Sequence, residues 1–585
     1  MRTDTATLVQ RLRLTAAADW LWVIVRLTRW ILTWKRYNPD FRPAGAAPIF
    51  VSARTAARMI PDDAVVVGAG LGAHGRASTL YFALRDRFRE QRHPHGLTWI
   101  HCGGAGGRGR LPGTLDDLAQ PGLLATVITG HTETMPALRR LADSAAMDMH
   151  VLPQGVLTFL IEAQARGSRT LRSTVGVGTF MDTRVGTGSQ LCADPGPGFA
   201  VPSGDSLEYR LPPIDVALFF APWADSTGNV YFEGATCVTE MHDAALAARA
   251  NGGTVILMVA GILDEAKTPA TPAIPAHMID AIVVARYAEQ TASVRQTAQW
   301  DAFLPGATVD EDRMLARIDI LDRVMRVAPD RNDADRAVAR LAAKMLAQQV
   351  RPDDLVNIGV GLPEEVARIV SHSELGKQIH FSTESGVLGG TPVQGGFFGV
   401  ALSPESINSS AWMFHKYAEE LAVTCLGMLE FDRDGNVNVS RTGPGVLHSI
   451  GPGGFIDITA GAQVLIFVGT WSRGRDTVTE EGKVRLDTGG PRKLTAHVQE
   501  ITFNGKRALR QGKTIYYVTT AGVFQLTEDG LVLTHVMPGV DPRSDIQRIE
   551  PSVQLPAAGP AVVSADVVTG RAFVLPGSTA FRVTL

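Results

Sequence analysis

The chain has 585 residues, more than one hydrophobic core supports, so two or more domains are expected. Its 56 Lys and Arg against 59 Asp and Glu leave a net charge of −3, without the basic surplus that marks a nucleic-acid binder. A hydrophobic share of 45% with 59 glycines fits an α/β enzyme and excludes a disordered or fibrous chain. The cysteines, Cys102, Cys192, Cys237 and Cys425, are scattered and form no Cys-x-x-Cys pair. That disfavours disulfide scaffolding and structural zinc, and makes a reducing cytoplasm the default location.

The first element in chain order is Trp20 to Trp34, a Trp-rich run interrupted by Arg26 and Arg29. A spanning helix takes about 20 apolar residues, and a central Arg costs roughly 2.5–3.5 kcal/mol on insertion, so this run is not expected to span. No small-residue cleavage site follows it, as a signal peptide would require. On a helix, Asp19, Arg26, Arg29, Thr33 and Arg36 form one polar stripe, with Leu21, Ile24, Leu27, Ile31 and Trp34 largely elsewhere. Such a helix lies in a membrane interface or, more ordinarily, buries its apolar stripe on its own protein or a partner subunit. Residues 1–46 are therefore read as an amphipathic helical extension, with a peripheral membrane or subunit contact through residues 19–37.

An internal repeat organises the remainder. Pro61-Asp-Asp-Ala-Val-Val-Val-Gly68-Ala-Gly70-Leu71 aligns without gaps on Pro352-Asp-Asp-Leu-Val-Asn-Ile-Gly359-Val-Gly361-Leu362. Asp225-Ser-Thr-Gly228-Asn229-Val230 then matches Asp432-Arg-Asp-Gly435-Asn436-Val437, and Gly252–Val259 matches Gly461–Val468. Three matches in one order imply two halves built on one plan. Val65–Val67, Val255–Val259 and Val464–Val468 read as strands buried on both faces. They alternate with helical stretches at Ala77–Arg92, Glu240–Ala250 and Asp335–Gln349. The pattern predicts α/β layers with a mostly parallel sheet in each half. The halves are placed at 47–306 and 332–585, with a charged linker at 307–331 flanked by Pro305 and Pro329.

Four glycine-bearing loops carry candidate chemistry. Gly68-Ala-Gly70-Leu-Gly72-Ala73 fits a Gly-x-Gly-x-x-Ala dinucleotide fingerprint only weakly. Its repeat partner has Pro363 where a helix would pack on a pyrophosphate, and no acidic residue follows at the needed spacing. A glycine loop opening a helix can still hold a phosphate-bearing or thioester ligand through backbone N–H groups; a plain tight turn is the alternative. Val151-Leu-Pro153-Gln154-Gly155 ends a strand with an amide donor able to stabilise an oxyanion, although a glutamine there is ordinarily a turn residue. Lys377 to Pro392 delivers Glu384 from a short strand onto a turn that Gly386, Gly389 and Gly390 are expected to leave open. With no Lys or Arg beside it in sequence, Glu384 is better placed for a substrate than for a surface ion pair. Ser449-Ile-Gly451-Pro-Gly453-Gly454-Phe-Ile-Asp457 allows close approach of a ligand to free backbone N–H groups, or is simply a loop. Asp215, Asp225 and Asp457 read as turn caps rather than catalysts. His74, His101, His131 and His150 lie far apart, so no metal is predicted. No Gly-x-Ser-x-Gly elbow is present, which disfavours a serine hydrolase.

Together these segments resemble the family I coenzyme A transferases of the single-chain acetate/propionate type, in which two subunits of related enzymes are fused. The resemblance runs from about Pro48 to Thr584. It rests on Gly130-His131, Leu152-Pro-Gln-Gly155, Val175–Phe180, Ala224–Asn229, Asn357-Ile-Gly-Val-Gly-Leu-Pro363, Thr383-Glu-Ser-Gly386 and Gly451-Pro-Gly-Gly-Phe-Ile-Asp457. It implies an alpha-like domain followed by a beta-like domain, with Glu384 as covalent nucleophile. Gln154 and a backbone N–H of Gly453 or Gly454 would stabilise the oxyanion. Gly359, Val360, Gly361, Leu362 and Pro363, with Gly386 and Gly389, would shape the coenzyme A channel. Coenzyme A would be a substrate rather than a permanent cofactor, the acids short or medium in length, and the assembly a homo-oligomer. Three features depart from the pattern: the first forty-odd residues, the Gly-Leu-Gly-Ala-His-Gly sequence of the first loop, and the glycine-rich run Gly103–Gly107. An acyl-CoA hydrolase on the same scaffold, or a non-catalytic coenzyme A-binding or membrane-scaffold protein, are the alternatives.

Overall fold

The computed structural model describes residues 17–29, 32, 37–72, 74–106, 112–191, 198–264, 268–285, 300–327 and 330–575, and the structural statements below concern these. Valine-rich runs form the centres of two sheets. In the first, Val65–Gly68 is buried at every position. It lies within the order Ala281–Val284, Thr254–Ile262, Val216–Ala224, Val65–Gly68, Leu97–Gly104, Leu124–His131, Asp148–Val151. Every pairing along this path is parallel, as suits strands covered on both faces. Side chains alternate between two cores: Val66 joins Trp99 and Leu80, while Val65 and Val67 join Ile100 and Phe219. Val230–Tyr231 adds an antiparallel strand beside Val216–Ala224.

Leu355–Ile358 takes the corresponding central place in the second sheet. His380–Ser382 flanks it on one side, and Leu421–Gly427, Val464–Val468 and Thr514–Val518 follow on the other, all parallel. The margins of this sheet are antiparallel: Val387–Leu388 and Ser406–Ile407 at one edge, the hairpin of Gly522–Thr527 with Gly530–Val536 toward the other. Connections such as Thr527 to Gly530 are too short for a crossover helix, so the chain can only turn back on itself. The repeated Asp turns also correspond. Asp225 and Asp432 each accept backbone N–H bonds from the residues that follow and a side-chain amide from Asn229 or Asn436 at 2.9 and 3.1 Å.

Helices Ser78–Gln91, Met241–Ala250 and Asp333–Ala347 fall where the helical stretches were placed. The stretch 307–331 contains helix Glu311–Val324, capped by the Asp310 side chain. The extension forms a helix over 17–29 that docks on this element with its polar side inward. Asp19 is buried with one carboxylate oxygen 2.8 Å from both Arg313 and Arg317. The Arg26 guanidinium lies over the rings of Trp22 and Trp300, and Val23 joins Trp300, Phe303, Leu321 and Phe397 in a small core. The ordinary expectation, an apolar stripe buried on this chain's own body, holds only in part: Leu27 packs on the small core, but Leu21 and Ile24 face outward. The receiving surface supplies two arginines and an indole face, which select the charged side of the helix. Residues 1–16, Ile31 and 33–36 lie outside the described residues, as do 576–585. No helix among those described is long and apolar enough to cross a membrane.

Candidate active site

Glu384 follows the strand His380–Ser382 on a turn closed by Gly386 N–H to the Thr383 carbonyl and Thr383 N–H to the Val387 carbonyl, at 3.1 and 3.0 Å. The Thr383 and Ser385 hydroxyls both donate to the Gly399 carbonyl and fix the turn from behind. The glycines that follow have a different use from the one expected of them. Gly386 has a φ of +98°, and a Cβ there would sit 2.0 Å from the Asn408 carbonyl oxygen. At Gly390 it would sit 2.2 Å from that of Leu402, and at Gly389 2.4 Å from the Glu405 side chain. Neighbouring chain, not a ligand, fills these spaces. The Glu384 side chain keeps part of its surface accessible, and it lines a cavity. Burial pushes its carboxyl above the ordinary glutamate range, opposed by its own backbone N–H and by the charge of nearby His131.

Gln154 enters from the first sheet. Helix Gln154–Ala165 starts directly after strand Asp148–Val151 and Leu152-Pro153. The Gln154 side chain is buried, and its Nε2 donates to no acceptor among the described residues, although the residue lines the same cavity. Backbone bonds tie this region to the second half: Gln154 N–H to Gly453 O at 2.8 Å, Gly453 N–H to Gly130 O at 2.7 Å, and Thr132 N–H to Ile450 O at 2.8 Å. The Asp457 carboxylate accepts from Gly155 and Val156 N–H at 3.0 and 3.1 Å, capping the helix from the other half of the chain. A Cβ on Gly155 would lie 2.7 Å from that carboxyl, so only glycine fits. Burial raises the Asp457 carboxyl to about 7, with the two N–H bonds opposing. Asp457 is thus a cap, as read from sequence, but its partner lies across the junction. Asp215 likewise serves Val65 N–H at 2.8 Å. One assignment needs correction: the Gly453 N–H is already bonded to Gly130, so it is not free for an oxyanion. Gly454 N–H meets no acceptor among the described residues.

The cavity, about 500 Å³, lies between the two halves. Gln154, Glu384, Gly359, Val360, Gly361, Leu362, Gly453 and Gly454 line it; Pro363, Gly386 and Gly389 do not. Among the described residues of the first glycine loop, Leu71 and Gly72 reach it. Three residues on its wall, Phe398, Arg331 and Lys493, carry no local signal that predicts them. The Lys493 ammonium donates to the Met428 carbonyl at 3.1 Å, and burial draws it down to about 8. Arg331 has a buried Nε without a partner. His131 stands in the quoted Gly130-His131 pair, yet only tertiary structure brings it beside Glu384. Away from the cavity, Asp62, His93 and His95 place three potential ligand atoms close together, a grouping not anticipated from sequence. Cys102, Cys237 and Cys425 are buried free thiols; Cys192 lies outside the described residues.

No family model matches the chain. It is 32% identical over 509 residues to the caffeate CoA-transferase of Acetobacterium woodii, covering 85% of this chain and 93% of that one. It is 30% identical over 511 residues to the acetate CoA-transferase YdiF of Escherichia coli (strain K12), covering 86% and 91%. Among solved structures, the acyl-CoA transferase YdiF apoenzyme from Escherichia coli O157:H7 superposes with a TM-score of 0.76 at 27% identity, over 92% of this chain and all of that one. A thioester complex of the same enzyme with CoA gives 0.75. With both sheets, the junction between them and nearly the whole length shared, this chain belongs to the family I coenzyme A transferases, in which both halves of the enzyme form one polypeptide.

Proposed function

We propose that the chain moves coenzyme A between short or medium carboxylic acids in a ping-pong reaction through a glutamyl-CoA thioester on Glu384. The observation that carries this reading is a cavity between the two halves whose wall brings the Glu384 carboxylate together with the buried Gln154 amide, which has no partner among the described residues.

Glu384 attacks the acyl-CoA carbonyl, the C–S bond breaks, and a mixed anhydride and CoA thiolate form. The thiolate then attacks the glutamyl carbonyl and the first acid leaves as a carboxylate. A second carboxylate attacks the thioester, and the same two steps run in reverse. Splitting the transfer this way replaces one difficult step by easier ones, and no proton changes hands. Each addition places negative charge on a carbonyl oxygen. The Gln154 amide and Gly454 N–H are positioned on the wall to receive it, a contribution of roughly 2.7–4 kcal/mol for one donor. We assign Gly359–Leu362 to the coenzyme A channel, and Lys493 and Arg331 to its phosphates by charge. We further read 47–306 and 332–585 as the two transferase domains, with coenzyme A as substrate, no permanent cofactor, and a cytoplasmic homo-oligomer.

The test is incubation with acetyl-CoA, trapping with borohydride or hydroxylamine, and mass spectrometry of the peptide containing Glu384. A mass change confined to Glu384 is the expected result. An unmodified peptide together with sequential kinetics overturns the proposal.

A further inference from the structure

The extension helix is docked through Asp19, Trp22, Val23, Arg26 and Leu27, and turns a second, largely apolar side to solvent. Trp20, Leu21, Ile24 and Val25 are 47, 62, 52 and 56% exposed, and with Ala17, Ala18 and Leu32 they make one side of the helix. A helix held only by water outside would turn such a face inward. Here the inward side is already taken by Asp19 between Arg313 and Arg317, and by Arg26 between two indoles. The exposed face is therefore held in place by the rest of the enzyme rather than left over.

We propose that the helix over residues 17–29 seats this enzyme on an anionic lipid surface. The chemistry of the segment matches that partner. Residues 1–36 carry seven Lys and Arg against Asp4 and Asp19, in a chain whose total is −3, so the remainder of the molecule is acidic. Four of its nine Trp residues, Trp20, Trp22, Trp30 and Trp34, fall in the same stretch, and indoles favour the level of lipid headgroups. An apolar face beside basic residues binds anionic bilayers by burial and charge together. The same charges oppose the other occupant, a second copy of this chain. A two-fold contact through this face would bring two basic segments together. The helix is too short and too charged to span, so the association is peripheral.

The full-length enzyme would be floated with vesicles of phosphatidylcholine alone, and with vesicles containing about one quarter phosphatidylglycerol. Binding at least about tenfold stronger on the anionic vesicles, and weakening with salt, is expected. The triple variant Leu21→Glu, Ile24→Glu, Val25→Glu changes only exposed positions. It should keep its circular dichroism, melting temperature and transferase activity while losing at least about tenfold in binding. Failure of the full-length enzyme to float with anionic vesicles overturns the proposal, as does undiminished binding of the triple variant. Light scattering without lipid adds a third arm: if the variant dissociates a larger oligomer, the face belongs to a second copy and the lipid assignment is wrong.

Discussion

Gly68-Ala-Gly70-Leu71 and Gly359-Val-Gly361-Leu362 leave corresponding central strands, and in both the second glycine has positive φ, +115° and +98°. Their surroundings differ. The first loop folds back on itself, so a Cβ on Gly70 would lie 2.5 Å from the His74 carbonyl; at Gly361 the nearest atom is Pro363 Cδ at 4.0 Å. The first loop spends its glycine on the protein's own backbone. The second enters helix Leu362–Ser371 directly and leaves that space on the cavity wall. Positive φ explains why glycine is there; the next three or four residues decide what occupies the vacated side.

The contrast between the two loops, and between the halves that carry them, is tested most severely at Glu384. Glu384→Ala should reduce CoA transfer by on the order of 10⁴-fold or more while coenzyme A still binds, measured by calorimetry beside initial rates. Gln154→Ala should lower kcat by roughly 10²–10³-fold with little change in KM. An unchanged kcat there would confine the chemistry to the second half alone. Asp457→Ala leaves two buried N–H groups unsatisfied and should destabilise the protein by about 2–4 kcal/mol in urea unfolding. The loops themselves can be set against each other. Gly70→Ala should cost about 1–3 kcal/mol of stability through strain with KM for acyl-CoA unchanged. Gly361→Ala should raise that KM by about three- to tenfold, and the reverse outcome would break the comparison. Smallest near neutral pH is the titration of the nucleophile. On the proposed mechanism Glu384 reacts as a carboxylate, and burial raises its pKa. Activity is therefore full above the raised value and falls as pH drops through it, so the acid limb of the kcat/KM profile should lie above the ordinary glutamate range.

What could be read from sequence was what local rules dictate. Valine runs bounded by Asp turns and glycine loops define strands without reference to anything distant, and the repeat at Val65–Gly68 and Leu355–Ile358 fell into corresponding places. Glu384 and Gln154 were legible because each sits at a strand end with nothing nearby in sequence to satisfy it. Gly386 and Gly389 were misread because a glycine that admits a ligand and one that admits the Asn408 carbonyl look alike in one dimension. Gly453 failed similarly, since its acceptor Gly130 is more than three hundred residues away. Lys493, Arg331 and Phe398 reach the cavity from segments with no pattern of their own. For the extension, periodicity gave the helix but only part of its facing: Asp19 and Arg26 of the polar stripe turn inward while Arg29 does not, and Leu27 of the apolar stripe packs on the protein while Leu21 and Ile24 do not.

The hydrogen bonds joining Gly130, Thr132 and Gln154 to Ile450 and Gly453 also limit how the molecule can move. They stitch main chain to main chain beside the reacting carboxylate, so a jaw-like separation of the two lobes would tear them. On the proposed reaction, an acyl-CoA would then enter a cavity whose walls are already joined. Main-chain bonds of this kind hold the two sides of the cavity at one fixed separation.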